Sequence, residues 1–254
     1  MDLRLDGVRA LVTGGSRGIG LTISKRLLAE GADVAICARN EDQLRVAEKE
    51  LTELQLGRVH ASAVDVGDRD AVTSWVGSAA DALGGVDVVV SNVSGMGGPG
   101  LEAWERNFRL DVLGFVHLMD AAVPHLVQSD RASVVAIGTT AAVETFGDPT
   151  VAYGSLKAAL IHQVSGYAQK FAAEGVRFNT VSPGPVMFPG SAWETVRENN
   201  EALYTRIVQS IPRGSMVTDE EIAQVVTFLA SPVSSAVTGV NVVADGGFTK
   251  KVKF

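Results

Sequence analysis

A phenol and an amine stand four positions apart in the stretch VAYGSLKAAL, residues 151–160, as Tyr153 and Lys157. In a helix, residues with this spacing lie on the same face, so the two side chains would be neighbours. An ammonium group beside a phenol stabilises the phenolate, and such a phenol can exchange a proton with a substrate oxygen. Because chance gives this spacing in roughly one such chain in ten, the pair predicts proton transfer only with support from other motifs.

A glycine-rich loop, VTGGSRGIG at residues 12–20, predicts a second chemical function. Its glycines, Gly14, Gly18 and Gly20, follow an apolar run and open a helix-like stretch, although they lack the common G-x-G-x-x-G spacing. Glycines let the backbone turn tightly and approach a pyrophosphate, and the free N–H groups and positive end of a helix attract the anion. The loop therefore predicts a nucleotide site.

The end of the second apolar run, AICARNED, indicates which nucleotide would bind. A carboxylate there would accept hydrogen bonds from an unphosphorylated ribose, but the residues are Ala38, Arg39 and Asn40. Arg39 and Arg17 of the glycine loop could hold a 2′-phosphate by charge-assisted hydrogen bonds, which favours NADP. If both arginines are only solvated, NAD is the alternative. Asp65, ending the third run, could contact the adenine or form a turn.

Short runs rich in Val, Ile and Ala predict the strands that would position these groups. Most are continuously apolar, as in strands covered on both faces of a parallel sheet. They lie at residues 8–14, 33–39, 59–65, 86–92, 133–139, 176–184 and 241–247. Helical periodicity lies between them, as at residues 19–32 with a stop signal at Gly31, and at residues 218–231 with the capping-box pair Thr218 and Glu221. This alternation predicts one α/β domain over residues 1–254, a Rossmann-type doubly wound parallel sheet of about seven strands with helices on both faces.

The longest stretch without a strand signal covers residues 185–217. It begins with prolines and a glycine and continues as one or two short helices. In a doubly wound sheet it would follow the carboxyl end of the sixth strand, where ligands bind. We therefore expect a substrate lid there, and a plain surface excursion is the alternative.

Composition argues against several classes of partner. The 254 residues are 46% hydrophobic and 20% charged, and the net charge of −7 is spread without a basic run, so no nucleic-acid or anionic-membrane partner is expected. The single cysteine, Cys37, cannot form an internal disulfide, and no apolar run has signal-peptide or transmembrane length, so a cytoplasmic protein is expected. The four histidines lack metal-ligand spacing, so no metal site is expected. The basic tail TKKVKF is expected to be a solvated terminus.

Taken in order, these motifs resemble those of the short-chain dehydrogenase/reductase family over nearly the whole chain. The family's T-G-x-x-x-G-x-G pattern matches residues 13–20, its Tyr-x-x-x-Lys matches residues 153–157, and Thr140 lies thirteen positions before the tyrosine, where the family has its catalytic serine. VSPGPV at residues 181–186 and VVADGG at residues 242–247 resemble its Pro-Gly nicotinamide loop and C-terminal strand. Within the family the chain is most similar to the bacterial 3-oxoacyl-carrier-protein reductase type.

The resemblance implies an NADP(H)-dependent oxidoreductase that interconverts a ketone and a secondary alcohol, its small-molecule substrate being a 3-oxoacyl thioester or a small or cyclic ketone. The residues it implies in catalysis are Thr140, Tyr153, Lys157 and Asp111. Those it implies in cofactor binding are Gly14, Ser16, Arg17, Gly18, Ile19, Gly20, Arg39, Asp65, Val66, Asn92, Tyr153, Lys157, Pro183, Gly184 and Val186. Those it implies in the substrate pocket are Ser94, Met96, Glu144, Met187, Phe188 and Trp193. It also implies a homotetramer built through helices at residues 101–128 and 151–174.

Four positions depart from the family's pattern. Asp111 stands where the family has a catalytic Asn, and Thr140 stands where it has Ser. Ser94 stands where it often has Gly, and Phe188 stands where it usually has Thr, which removes a hydroxyl contact to the carboxamide. Beside the leading hypothesis, two others therefore stay open: an NAD-dependent alcohol dehydrogenase of the same fold, and a non-catalytic, NADP-binding regulatory protein.

Overall fold

The core of the protein is a parallel β-sheet, seen in a computed structural model that describes residues 1–145 and 151–251. Its strands are β1 Arg9–Thr13, β2 Asp33–Ala38, β3 Val59–Ala63, β4 Val88–Ser91, β5 Ser133–Ile137, β6 Arg177–Pro183 and β9 Asn241–Ala244. They lie in the order β3-β2-β1-β4-β5-β6-β9, and each neighbouring pair is parallel. Two further strands, β7 Val186–Met187 and β8 Val217–Thr218, pair with each other.

Helices connect the strands and cover both faces of the sheet. They are α1 Gly18–Ala29, α2 Glu41–Glu53, α3 Arg69–Leu83, α4 Gly100–Asn107, α5 Gly114–Leu126, α6 Ala152–Phe171, α7 Ala192–Asn199, α8 Glu201–Ser210 and α9 Asp219–Ala230. A π-helical turn, Phe108–Leu113, joins α4 to α5, and 3₁₀ turns lie at Thr140–Ala142 and Pro232–Ser234. Among the described helices, none combines the length and the apolar character needed to cross a membrane.

The strands are apolar on both faces because two cores sandwich the sheet. In β4, Val89 belongs to the core formed with α3, α5 and α6, whereas Val88 and Val90 belong to the core formed with α1, α2 and α9. Successive side chains of a strand point to opposite faces, so a strand buried on both sides shows no polar alternation. The predicted fold class, a doubly wound sheet with helices on both faces, is confirmed.

Local signals in the sequence fix several helix ends. The Thr218 hydroxyl accepts the Glu221 N–H at 3.2 Å, and the Glu221 carboxylate accepts the Thr218 N–H at 2.9 Å, so the predicted capping box begins α9. Helix α1 ends at Ala29, and Gly31 follows with φ +89°, a left-handed conformation that favours glycine.

The segment at residues 185–217 differs from its prediction at both ends. It was expected to contain no strand, but β7 and β8 pair in parallel, with Val186 opposite Val217 and Met187 opposite Thr218. Helices α7 and α8 lie between them, in agreement with the one or two short helices expected. A strand of two residues is too short to produce any periodicity, which is why the sequence did not reveal this pair. The role of the segment as a lid stays a prediction.

Candidate active site

Between β1 and β4 the sheet changes the direction in which successive strands are added. Strands β2 and β3 lie on one side of β1, and β4, β5 and β6 lie on the other. In doubly wound sheets ligands bind beyond the carboxyl ends of the strands at this reversal. The glycine loop follows β1 and Asn92 follows β4, so both of these predicted nucleotide-binding elements lie at the reversal.

The glycine loop folds so tightly that side chains are excluded from it. A Cβ on Gly20 would lie 2.2 Å from the carbonyl oxygen of Gly14. The N-cap residue of α1, Arg17, makes no side-chain capping hydrogen bond, and the first turn of α1 contains no acidic residue. The first N–H groups of α1 and its positive dipole end are therefore left to an anion, as the sequence predicted for a pyrophosphate.

Asn92 ties the end of β4 to this loop. Its backbone N–H donates to the Thr13 hydroxyl at 3.0 Å. Its side-chain amide donates to the carbonyl oxygens of Thr13 and Gly14, each at 3.2 Å. Asn92 was predicted to bind the cofactor, and the structure gives its amide a second task, holding the glycine loop in place.

Two arginines remain available at the β2 side of the site. Arg39 directly follows β2, Arg17 precedes α1, and both are exposed. Within the part of the chain that the structure describes, neither guanidinium forms a hydrogen bond or an ion pair, whereas the neighbouring Asn40 accepts the Gln43 N–H at 2.9 Å and caps α2. Free guanidinium groups at this place are suited to a phosphate on the ribose.

Asp65 is held by its own turn and by a neighbouring helix. One carboxylate oxygen accepts the Gly67 N–H at 2.9 Å, and the other accepts Arg109 Nη1 at 3.0 Å. Burial raises the pKa of Asp65, but these two hydrogen bonds and the charges of Arg109 and Arg39 outweigh burial and hold the pKa below its usual value. Asp65 is therefore an ionised acceptor at the rim where the adenine would lie.

Lys157 is a buried cation one helical turn beyond Tyr153 on α6. Its side chain is 2% exposed, and Nζ donates to the Ile137 carbonyl oxygen at the end of β5, at 2.8 Å. Nζ also lies 3.0 Å from Oδ1 of Asp111, whose side chain is fully buried. A buried ammonium needs such partners, because burying a charge without them costs several kcal/mol.

Asp111 lies in the π-helical turn between α4 and α5. Its Oδ2 accepts the Gly95 N–H at 3.0 Å. Its Oδ1 faces Lys157 at ion-pair distance but outside hydrogen-bond geometry, so that contact is electrostatic. Single π-helical turns often mark functional sites, because the wider turn re-aims its side chains. Asp111 therefore joins the ammonium to the loop that follows β4.

The two hydroxyl groups predicted for chemistry lie on the turn after β5 and at the start of α6. Thr140 is buried and starts the 3₁₀ turn after β5, and Tyr153 is half-buried in the first turn of α6. A Cβ on Gly154 would lie 2.5 Å from the Ala141 carbonyl oxygen, so the turn that carries Thr140 packs on the helix start that carries Tyr153. The structure thus pairs Lys157 with Asp111 directly and packs the turn of Thr140 on the helix start of Tyr153, while the catalytic roles of these four residues stay predictions.

Two of the predicted substrate residues, Ser94 and Glu144, accept backbone hydrogen bonds, and the others are placed by the segments in which they lie. Ser94 accepts the Met96 N–H at 3.1 Å and shapes the loop after β4, in which Met96 has φ +60° and is 54% exposed. Glu144 accepts the Lys250 N–H at 3.0 Å, so one of its carboxylate oxygens already binds the C-terminal segment. Met187 ends β7, and Trp193 lies half-buried in α7.

Phe188 lies closer to the cofactor loop than its prediction as a substrate residue implied. A Cβ on Gly18 would lie 2.7 Å from Phe188 Cε2 and 2.9 Å from Cζ. The aromatic ring therefore covers Gly18 at the start of α1.

The remaining predicted cofactor residues lie along the same edge. Pro183 ends β6, Val186 starts β7, and Val66 is buried. Gly184 leaves no room for a side chain, because a Cβ there would lie 2.7 Å from Asp245 Cβ. Ser16 and Ile19 are half-buried in the glycine loop and at the start of α1.

Several contacts of the site were missed from the sequence. The Ile137 carbonyl oxygen and the Gly95 N–H are backbone groups, and no residue type marks their roles. Lys250 also binds the site through its backbone, although its tail was expected to be a solvated terminus; residues 252–254 lie outside the described part. In residues 1–145 and 151–251, no group of three or more His, Cys, Asp or Glu could hold a metal ion.

Comparison with known proteins identifies the family. A family profile described as "Enoyl-(Acyl carrier protein) reductase" matches residues 14–249. Isoepoxydon dehydrogenase from Penicillium expansum is 36% identical over 253 residues, which cover 98% of each chain. The chain belongs to the short-chain dehydrogenase/reductase family.

Other members of the short-chain dehydrogenase/reductase family agree with this assignment. A 3-oxoacyl-[acyl-carrier-protein] reductase from Chlamydia pneumoniae is 31% identical over 256 residues, covering 98% of this chain and 100% of that protein. The crystal structure of L-sorbose reductase from Gluconobacter frateurii, complexed with NADPH and L-sorbose, has a TM-score of 0.90 at 28% identity, covering 99% of this chain and 100% of that one. Both similarities extend over the whole family domain.

Proposed function

We propose that this protein is an NADP(H)-dependent oxidoreductase that interconverts a ketone and a secondary alcohol. The observation that carries the proposal is the buried Lys157, held by the Ile137 carbonyl oxygen and Asp111 one helical turn from Tyr153. A fully buried ammonium one helical turn from a phenol has a clear use in proton transfer. A purely structural role would be served better by an apolar side chain of similar volume.

The residues present fit a dinucleotide. The uncapped start of α1 offers N–H groups to a diphosphate, and Gly20 has no space for a side chain where the loop turns. Arg17 and Arg39 are free to bind a 2′-phosphate. When bound, NADPH supplies the hydride that ketone reduction requires.

The side chains of this protein would supply the proton and the charge stabilisation. Tyr153 Oη donates its proton to the carbonyl oxygen of the ketone as the alcohol forms, and it accepts that proton in the reverse direction. The Thr140 hydroxyl donates a hydrogen bond to the same oxygen and stabilises its developing charge. Lys157 Nζ stabilises the phenolate that Tyr153 leaves behind, and Asp111 holds Lys157 in position.

We propose a small, polar or cyclic ketone as the substrate. The isoepoxydon dehydrogenase similarity, at 36% identity, supports this class. The second candidate is a 3-oxoacyl thioester, supported by the 31% identity to a 3-oxoacyl-carrier-protein reductase. A net charge of −7 without a basic run offers little attraction to an acidic carrier protein, which favours the first candidate.

A substrate panel with NADPH tests the function. Oxidation of NADPH is followed with hydroxylated cyclohexenones, simple cyclic ketones and a 3-oxoacyl-CoA, on the wild type and on Tyr153→Phe. We expect turnover of cyclic ketones that falls by roughly 10³-fold in Tyr153→Phe. Preference for the thioester would select the second substrate class. NADPH binding without turnover on any substrate would favour the regulatory hypothesis.

The choice of cofactor is tested at Arg39. The affinities for NADPH and NADH are measured by fluorescence titration on the wild type and on Arg39→Ala. Loss of one charge-assisted contact should weaken NADPH binding about tenfold and leave NADH binding unchanged. Arg45→Ala is the matched control, because Arg45 is exposed on α2 and pairs with Asp42. Equal affinity of the wild type for both cofactors would support the NAD-dependent alternative.

We also propose a cytoplasmic homotetramer, assembled through the helices at residues 101–128 and 151–174. Three apolar side chains on one side of the first helix support an interface, since Leu101, Trp104 and Phe108 are 71%, 38% and 47% exposed. Light scattering after size-exclusion chromatography measures the assembly. We expect Trp104→Glu with Phe108→Glu to give smaller species than the wild type, and a monomeric wild type would contradict the proposal.

A further inference from the structure

Phe188 connects two parts of the molecule that the sequence treats separately. It is the first residue after β7, near the start of the segment 185–217. Its ring lies on Gly18 in the first turn of α1. Gly18 has φ +52°, and a Cβ there would lie only 2.7 Å from the ring. The ring thus fills the space that a side chain at position 18 would need.

A tight turn fixes the backbone that carries this ring. The Ser191 N–H donates to the Phe188 carbonyl oxygen at 3.0 Å, and Ser191 Oγ accepts the Phe188 N–H at 3.4 Å. The same hydroxyl accepts the Glu194 N–H at 3.1 Å and caps α7, and Ser191 is only 2% exposed. The turn that starts the first lid helix therefore also holds Phe188 against the glycine loop.

The place where the ring lies is the anion-binding end of α1. Its N–H groups have no capping side chain, and its first turn has no acidic residue. A phenyl ring neither donates nor accepts a conventional hydrogen bond to a phosphate, so its contribution there is packing and exclusion of water. Excluding water strengthens the attraction between the helix end and a diphosphate, because screening by solvent falls.

We propose that Phe188 is a positioning residue that closes residues 185–217 onto the cofactor diphosphate. The inference rests on the proposed NADP(H) binding and adds that the lid and the cofactor stabilise each other through this ring. Coupling of this kind is reciprocal: if cofactor holds the lid closed, the lid must hold the cofactor by the same factor. A hydroxyl residue at position 188 could bind the cofactor directly but could not cover Gly18 in this way.

The first experiment measures both directions of this coupling without turnover. Affinity for NADPH is measured by fluorescence titration, and closure of the lid is measured by trypsin cleavage at Arg197 and Arg206, with and without NADPH. In Phe188→Ala we expect the Kd for NADPH to rise about tenfold and the protection of the lid by NADPH to be lost. Phe228→Ala is the control, because Phe228 is a 39% exposed phenylalanine on α9, and it should change neither quantity.

A double-mutant cycle tests the contact itself. Gly18→Ala brings a methyl group into the ring, so it should weaken NADPH binding strongly. Adding Phe188→Ala removes the collision, and we expect the double variant to bind NADPH no worse than Gly18→Ala alone. Additive losses would show that the two residues act independently and would overturn the inference.

The outcomes separate this inference from the proposed function. If the wild type binds neither NADPH nor NADH, the proposed function fails. If the wild type binds NADPH and its lid is protected, but Phe188→Ala behaves identically, only the role of Phe188 fails. Thermal unfolding monitors the fold, and if Phe188→Ala does not fold, Phe188→Leu takes its place with an expected loss of about threefold in affinity.

Discussion

An ion pair with a fully buried carboxylate lies at each end of the sheet, and the two pairs are built differently. At the amino end, Asp87 precedes β4 and binds Arg9, the first residue of β1. Its carboxylate accepts Arg9 Nη2 at 2.5 Å, Arg9 Nε at 2.7 Å, the Arg9 N–H at 2.9 Å and the Ser129 hydroxyl at 2.6 Å. Every strong acceptor direction of this carboxylate has a donor.

At the carboxyl end, Asp111 has fewer partners. Among the residues that the structure describes, its carboxylate accepts one hydrogen bond, from the Gly95 N–H, and faces Lys157 at 3.0 Å without hydrogen-bond geometry. A pair whose carboxylate has all its hydrogen bonds holds two strands together, whereas an incompletely bonded pair leaves its cation able to interact with a further group. We therefore expect Arg9–Asp87 to serve the fold and Lys157–Asp111 to serve the proposed chemistry.

Removing the cation at the carboxyl end should have the largest effect on activity. In Lys157→Met the ammonium near Tyr153 is lost, and we expect kcat to fall by roughly 10³-fold. This fall in kcat is measured by steady-state kinetics, on protein whose fold is verified by circular dichroism. Lys170→Met is the control, because Lys170 is exposed on the same helix, and it should leave kcat unchanged. A comparable loss in both variants would show that the loss does not come from the ammonium paired with Asp111 at the carboxyl end.

Removing the carboxylate at the amino end should have the largest effect on stability. Asp87→Ala leaves Arg9 partly buried without its partner, and we expect the free energy of unfolding to fall by about 3–5 kcal/mol. Denaturant titration measures this change. Asp42→Ala breaks an exposed ion pair with Arg45 and should cost at most about 0.5 kcal/mol. If Asp87→Ala lowered kcat of the folded enzyme rather than its stability, the amino end would not be structural.

The pH dependence of stability should depend on the same pair. Burial raises the pKa of Asp87, but the hydrogen bonds from Arg9 and Ser129 and the charge of Arg9 outweigh burial and hold the pKa below its usual value. The ionised form therefore stabilises the fold above the unfolded-state pKa of about 3.9, and this contribution is lost as the pH falls through the lower folded-state pKa. The difference in unfolding free energy between wild type and Asp87→Ala should shrink below about pH 4. A difference that stays constant down to pH 2 would contradict the assignment of this pH dependence to Asp87.

A conservative change at Asp111 should have the smallest effect. An amide in Asp111→Asn can accept from only one of its two neighbours, because its NH₂ group then faces either Lys157 or the Gly95 N–H. We expect kcat to fall about tenfold, with less than about 1 kcal/mol change in unfolding free energy. Asp120→Asn on the exposed face of α5 is the control. An unchanged or higher kcat in Asp111→Asn would show that the carboxylate is not needed to hold Lys157 in position.

Much of the fold could be predicted because its signals are local. The buried strands are continuously apolar, as in β5, where all five residues are buried. The capping box at Thr218 and the glycine at position 31 mark helix ends by residue type alone. The short β7 and β8 escaped prediction because their pairing joins residues about 30 positions apart and leaves no pattern in either stretch.

The amino-acid sequence by itself determined the strand–helix alternation, the glycine loop and the spacing of Tyr153 and Lys157. These depend on the periodicity of helix and strand and on residue types, which a linear chain displays directly. Only the tertiary structure decided that Asp111 joins Lys157 to Gly95 and that Phe188 covers Gly18. Both contacts are made between separate segments, and one partner in each is a glycine. The glycine contributes a backbone N–H or the space left by a missing side chain, and neither can be recognised from residue type.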